Sequence, residues 1–309
     1  MPINYPPSGP VITDGVLTIH SFLQSPTAVQ ERVRDLAGGV FIADTLFPTG
    51  VPAGGGAVSY QVSSPLVTDR DPSAVAPGGE YELALAQGGV SQLAEVTKYG
   101  QDVRITDESI GRLKIAVLDR ALRQVVNRAR NFIDTLALAV AAAAITQTYT
   151  STNAWNTAGA DPLLDVMLAG SSVENTNLEM GFEPNLLLVT GTLYSRLASN
   201  KGVVAGLQAN NSNSVVTSGQ IQQIGGKRVV SVPDSRMPAG VPAMLVDPLA
   251  FGSYAYEDIP SPEYQGAASG IQTFTRRDPK ATDSYLVRGR RTFVPLVENP
   301  GAAIKLLGL

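Results

Sequence analysis

The chain has 309 residues, enough to bury a sizeable core in one large domain or two ordinary ones. Hydrophobic residues make up 44% and charged residues only 16%, against about 25% charged in an average globular protein, so much of the surface is weakly charged and suited to packing against copies of itself. A net charge of −4 excludes a dedicated nucleic-acid binder, which needs a basic stripe, and the absence of cysteine excludes disulfides, thiolate nucleophiles and cysteine-based zinc sites.

In chain order, Met1 to Pro10 is rich in proline and polar residues and reads as an extended arm, without the basic and apolar regions of a signal peptide. Pro26 before and Gly38-Gly39 after delimit a short helix over 27–36. After a glycine-rich turn at 51–56, the alternating stretch Ala57 to Val62 predicts a strand. A charged tip follows at Thr68-Asp69-Arg70-Asp71-Pro72, and the chain returns through Gly78 to Leu83, which alternates again. Two strands around a polar tip describe a β-hairpin. Such a ribbon is marginal alone in water and needs a surface to lie on.

A further alternating strand spans Ala94 to Ile105. Thr106 is placed to cap a helix, with Asp107 and Glu108 in the first turn, where the helix dipole favours negative charge. Ile110, Leu113, Val117, Ala121, Val125, Ala129, Phe132, Leu136 and Val140 then recur at steps of three and four as one apolar stripe, with Asp119, Arg123, Asn127, Arg130 and Asp134 opposite. The helix should reach about Ala144, roughly 55 Å at 1.5 Å per residue, where globular helices average about 11–12 residues. It reads as a beam. The longest apolar run, Leu136 to Ile145, is too short to span a bilayer, which takes about 20 residues, so no membrane partner is expected.

Residues 145–160 form a Thr/Ser/Asn-rich loop holding the single tryptophan, Trp155. Helices are expected over 163–172 and 192–199, a buried strand over 185–190 and an exposed polar loop over 204–219. Strands should follow at 227–232, 243–247, 251–257, 285–293 and 302–307, with a charged turn at 276–280.

In this order the segments resemble the tailed-bacteriophage major capsid proteins, the family of the Hong Kong ninety-seven capsid fold. The stretch Ala94 to Glu108 is similar to that family's strand running into its spine helix. Ile224 to Pro233, with Met237-Pro238-Ala239-Gly240, resembles its axial-domain hairpin, and Arg288 to Ile304 its closing peripheral-domain strands. The resemblance implies an α+β chain with an N-terminal arm (1–38), an extended hairpin or E-loop (39–93), a peripheral-domain strand and spine helix (94–145), an axial domain (146–275) and a return to the peripheral domain (276–309). It also implies hexamers and pentamers tiling an icosahedral shell around double-stranded DNA, the hairpin of each subunit lying across its neighbour. A cellular nanocompartment shell, an encapsulin, is the alternative with the same fold.

Some members cross-link through a hairpin lysine, but the first lysine here is Lys98. A shell without covalent cross-links is therefore expected, helped by a cement protein. No long charged helical segment precedes the hairpin, so the resemblance implies a separate scaffolding protein, with a portal as a further partner and packaged DNA held without sequence-specific contacts.

No convergent catalytic set is visible, and neither cofactor nor metal is expected. The only histidine, His20, reads as a surface or interface residue, and Gly225-Gly226-Lys227-Arg228 lacks the first glycine and the Ser/Thr of a phosphate loop and reads as a β-turn. The residues expected at contacts between subunits are Asp69, Arg70, Asp71, Glu80 and Glu82 on the hairpin, facing Arg120, Arg123, Arg128 or Arg130 on the spine of a neighbour. A second charged group, Arg276, Arg277, Asp278, Lys280 and Asp283, is expected near threefold contacts. Exposed pairs contribute only about 0.2–1 kcal/mol each, so their role would be register.

Overall fold

A computed structural model describes residues 16–37, 41–63, 68–85, 88–113, 115–157, 159–176, 180–208, 221–267, 269–278 and 282–309. The extended arm expected over residues 1–10 lies outside them. The chain is α+β, as expected from the sequence.

Helices α1 (Val16–Leu23) and α2 (Pro26–Ala37) come first, then a short α3 (Ile42–Leu46). The sequence reading anticipated α2 but not α1. Strand β1 (Thr49–Pro52) leads into β2 (Ala57–Val62), which pairs antiparallel with β3 (Val90–Glu95) from Ala57↔Glu95 to Val62↔Val90. The return strand is thus β3 and not 78–83, whose residues form no strand. Alternation there marks an extended segment, and a ladder needs a partner as well. Likewise the single strand expected over 94–105 is divided at Val96, its first residues belonging to the ribbon and the rest to β4 (Thr97–Thr106).

Helix α4 (Asp107–Leu113) starts under the Thr106 cap, whose Oγ1 accepts the Ser109 N–H at 3.3 Å. Helix α5 (Ile115–Ala144) is 30 residues long, about 45 Å. Its buried face is turned from the expected stripe. Leu118, Leu122, Val126, Ile133, Ala137, Leu138 and Ala141 are buried along with Ala121 and Val125, while Leu113 and Phe132 are exposed. The alanines on this helix let neighbours approach on two sides, so the core-facing arc is wider than one row of three-and-four steps. Asp134, expected on the polar face, is fully buried.

Strand β5 (Thr148–Thr150) precedes α6 (Pro162–Thr176); β6 (Leu186–Thr190), α7 (Gly191–Ser199) and α8 (Lys201–Gln208) follow. Residues 204–208, read as loop, are therefore helical, and 209–220 lie outside the described residues. Strands β7 (Gln223–Ile224) and β8 (Lys227–Val232) join through Gly225 and Gly226, at φ 54° and 76°. Both lie in the left-handed region that a two-residue turn of this kind demands and glycine tolerates, so these glycines serve a hairpin. Then come β9 (Ala243–Val246), α9 (Pro248–Phe251), β10 (Gly252–Tyr256), β11 (Gln272–Arg277), β12 (Ser284–Val297) and β13 (Ala303–Leu307). The charged turn expected at 276–280 begins as strand, because β11 carries Arg276 and Arg277.

Two sheets organise the core. In the first, β1-β10-β12-β11 lie in that order and β4 pairs with the other side of β12, in register from Thr97↔Phe293 to Thr106↔Ser284. The second sheet runs β5-β13-β9-β6-β8-β7. Helix α5 lies along the face of the first sheet that carries Tyr99, Ile105, Val287 and Gly289, and α2 is tied to it by Arg32, which donates to both carboxylate oxygens of Asp119 at 3.0 Å. In the second sheet, buried Asp165 on α6 accepts hydrogen bonds from Tyr149, Ser151 and the Trp155 indole, which pins the Thr/Ser/Asn-rich loop.

Packing at the junction of β10 and β12 is tight. A Cβ on Gly252 would stand 2.1 Å from the Leu296 carbonyl oxygen, and backbone cannot yield as a flexible side chain does. Gly252→Ala is expected to destabilise the subunit by about 1–3 kcal/mol; an unchanged urea midpoint would contradict this.

Candidate assembly interface

The β2–β3 ribbon and the segment beyond it form a flap that makes little use of its own chain. It is tied to the body just past the outer end of the ribbon, where Ser63 N–H donates to the Glu298 carbonyl at 2.7 Å. Its neck is closed by Asp69, whose carboxylate accepts the Leu85 N–H at 2.7 Å. Beyond these ties the flap carries large apolar side chains in water: Tyr81 is 88% exposed and Leu83 79%, with Leu85, Val90 and Leu93 also exposed. A soluble monomer seldom shows that many in one place, and such a patch marks an interaction site.

The hairpin charges divide by role. Asp69 is a structural acceptor in the neck and lies 3.6 Å from Arg70, whereas Asp71, Glu80 and Glu82 are exposed. On the spine, Arg120, Arg123 and Arg128 are exposed. Arg130 turns inward, with Nε 3.8 Å from the buried Asp134.

The second charged group is largely engaged within its own chain. Arg277 forms an ion pair with Asp107 at the start of α4 and approaches Asp283 at 3.5 Å, and Asp278 is buried against Arg104 at 3.1 Å. Arg276 is exposed beside the Phe274 ring, Asp283 is exposed, and Lys280 lies outside the described residues. On the same sheet Arg288 clasps Asp102 at 2.5 and 2.7 Å, and that guanidinium hydrogen bond holds the Asp102 carboxyl below its ordinary pKa. His20 Nδ1 lies 3.3 Å from the Tyr285 hydroxyl, an internal contact between α1 and β12.

The sequence reading missed two features of this surface. One is a groove of about 190 Å³ between α5 and the first sheet, lined by Tyr99, Gln101, Val125, Ala129 and Phe132 among others, with the Tyr99 and Phe132 rings 4.8 Å apart. The other is an apolar row on α6, where Leu163, Leu164, Met167 and Leu168 are each about half exposed. The only signal for the first was Phe132, an aromatic at the margin of the helical stripe. Among the described residues no group of three or more metal-ligating side chains gathers, and no helix is long and apolar enough to cross a membrane.

Comparisons with known proteins bear on this arrangement. The fold is similar to the capsid of cyanophage P-SCSP1u, at 13% identity and a TM-score of 0.57, covering 87% of this chain and 88% of that one. It is similar also to a phage-related protein of Bordetella bronchiseptica RB50, at 14% identity and 0.57, covering 89% and 95%. A virus-like particle from Pyrococcus furiosus matches at 9% identity and 0.56, covering 90% and 97%. No curated protein matches the chain by sequence. A family model described as phage capsid protein matches residues 89–306, from just before β3 to the last strand. With well over half its length matched, the chain belongs to the phage capsid protein family and is a subunit of a capsid shell.

Proposed function

We propose that copies of this chain assemble as hexamers and pentamers into an icosahedral shell that encloses double-stranded phage DNA. The observation that carries this reading is the flap. Its exposed Tyr81, Leu83, Leu85, Val90 and Leu93 find no cover among the described residues of their own chain, and burial of each would contribute about 1.5–3 kcal/mol. In this reading the first sheet and α5 form the peripheral domain, which takes β10 and most of β11 from the stretch 146–275, the second sheet forms the axial domain, which takes β13 from the stretch 276–309, and the role is structural rather than enzymatic. Assembly takes place in the host cytoplasm, with a scaffolding protein, a portal and a cement protein as partners. The wall meets DNA without sequence-specific contacts.

Negative-stain microscopy of the expressed protein tests this directly. Closed particles of uniform size are expected; a monodisperse monomer at high concentration would sink the reading. Double-stranded DNA is expected in particles from infected cells, and a protein cargo without DNA would favour an encapsulin instead.

Covalent maturation of the hairpin type is not expected. Residues 1–97 contain no lysine, so the flap offers no side-chain amine for an isopeptide bond. In mature particles boiled in detergent this subunit should run as one monomer band, without covalent multimers. A ladder of covalent multimers would refute this.

A further inference from the structure

Strand β4 stands at an open edge of the first sheet. Among the described residues its one ladder partner is β12, so along its other side backbone N–H and C=O groups of a ten-residue strand are unpaired. Such edges are ordinarily kept short, bulged or covered. Here the edge borders the groove in which Tyr99 packs on the half-exposed ring of Phe132.

We infer that the segment Gly79–Leu85 of a second copy adds as a strand along the free edge of β4 and seats Tyr81 and Leu83 in the groove against Tyr99 and Phe132. The inference rests on the shell-subunit reading and gives the flap an address on its neighbour.

Three observations converge on this occupant. The segment is exposed and forms no strand; Gly79 donates to Ala76 and both backbone groups of Leu85 are bonded to Asp69, while among the described residues nothing holds the backbone from Glu80 to Ala84, which is free to form a ladder. Its side chains alternate, and in a strand Tyr81, Leu83 and Leu85 share one face while Glu80 and Glu82 share the other. On β4 the odd-numbered residues Tyr99, Gln101, Val103 and Ile105 face α5. The even-numbered face carries Lys98, Asp102 and Arg104 and continues into Arg288 and Arg276 across the sheet, with Arg288 held by Asp102 and Arg104 by Asp278. A strand that sends its apolar row into the groove therefore sends both glutamates over a face on which basic groups outnumber acidic ones.

The lengths agree as well. Tyr81 to Leu85 spans about 13 Å at about 3.3 Å per residue, and Val125 to Phe132 along the helix spans about 10.5 Å. A flap cannot serve its own groove while Tyr81 and Leu83 stay as exposed as they are.

The cysteine-free chain makes the test clean. Leu83→Cys and Phe132→Cys are combined in one chain, particles are formed, and a short bismaleimide is added. Covalent dimers and higher multimers are expected on a denaturing gel, and none from Leu83→Cys combined with Leu164→Cys, whose second site lies on α6. Particles that yield no multimers with the Phe132 pair, a link confined to monomers, or equal linking to Leu164 would each overturn the inference and leave the shell reading standing. Failure of the unaltered chain to form particles would instead defeat the shell reading. Should the double variant not assemble, hydrogen exchange on the unaltered protein decides: peptides covering 97–104 should exchange at least about tenfold more slowly in particles than in free subunits. Equal exchange in both would overturn the proposal.

Discussion

Removing the flap should abolish particle formation and leave the subunit folded. Val62 and Val90 are a registered pair at the outer end of the β2–β3 ribbon, so residues 63–89 can be replaced by an Asn-Gly turn of the kind that closes two-residue hairpins. Among the described residues the deletion costs the subunit the hydrogen bond from Ser63 to Glu298 and the contacts within the flap neck, about 1 kcal/mol for the former. The assembly would lose the exposed apolar surface of Tyr81, Leu83 and Leu85 at every contact, on the order of 1.5–3 kcal/mol for each side chain. A closed shell repeats that loss in each subunit. Size-exclusion chromatography should show free subunits or small capsomers, microscopy no closed particles, and thermal unfolding a midpoint within a few degrees of the parent. Normal particle yield would show that the flap is not the assembly element.

Truncating Asp134 should destabilise the subunit strongly for a single polar side chain. Its carboxylate is fully buried at the centre of α5, where it accepts the Ala43 N–H at 3.1 Å and lies 2.8 Å from Arg236 and 3.8 Å from Arg130. These partners come from three places: α3, the spine itself, and the loop between β8 and β9 in the second sheet. Arg291 of the first sheet grips α3 from the other side through Asp44 at 2.6 Å. Asp134 is therefore the joint at which the two sheets meet the spine.

Asp134→Ala leaves the buried Ala43 N–H unpaired and takes from Arg236 the carboxylate it donates to. Breaking a buried pair costs about 3–5 kcal/mol. Because the arginines retain partial access to water, about 2–3 kcal/mol is expected here. The lone tryptophan, Trp155, is buried and reports unfolding by fluorescence; a change in the urea midpoint worth under about 1 kcal/mol would contradict the assignment.

The same group has a defined pH signature. Burial pushes the Asp134 carboxyl pKa up, aided by the nearby Asp44, and outweighs the lowering pull of the Ala43 N–H, Arg236 and Arg130. The folded chain thus binds this proton more tightly than the unfolded chain. That contribution to stability is full below the ordinary carboxylate pKa and is lost as pH rises through the elevated folded value. Asp134→Asn, neutral at every pH, should flatten this part of the stability curve and cost less than Asp134→Ala. An identical slope in parent and Asn variant would rule out Asp134 as its source.

Local signals in the sequence were informative where short-range physics decides the outcome. The Thr106 cap, the helical run to Ala144, the glycine pair at 225–226 and the strand at 227–232 all follow from caps, periodicity and turn chemistry within a few residues. So does the exposure of the flap, since a narrow ribbon with a polar tip has too little surface to bury its own side chains. The family likeness, too, was present in the order of these elements.

Partner choice was settled elsewhere. That Val90–Glu95 and not Gly78–Leu83 closes the ribbon depends on which backbone meets β2 across a loop, and alternation alone carries no such information. Asp134 sat on a charged face by its helical position, and only Ala43 and Arg236, 91 and 102 residues distant, made its burial tolerable. The open edge of β4 and the groove beside it exist because β12 pairs on one side and α5 crosses the face. The sequence by itself determined which segments become helix or ribbon and that one ribbon lacks cover; the tertiary structure decided which charges are buried and where an edge stays open, because both depend on contacts between residues far apart in the chain.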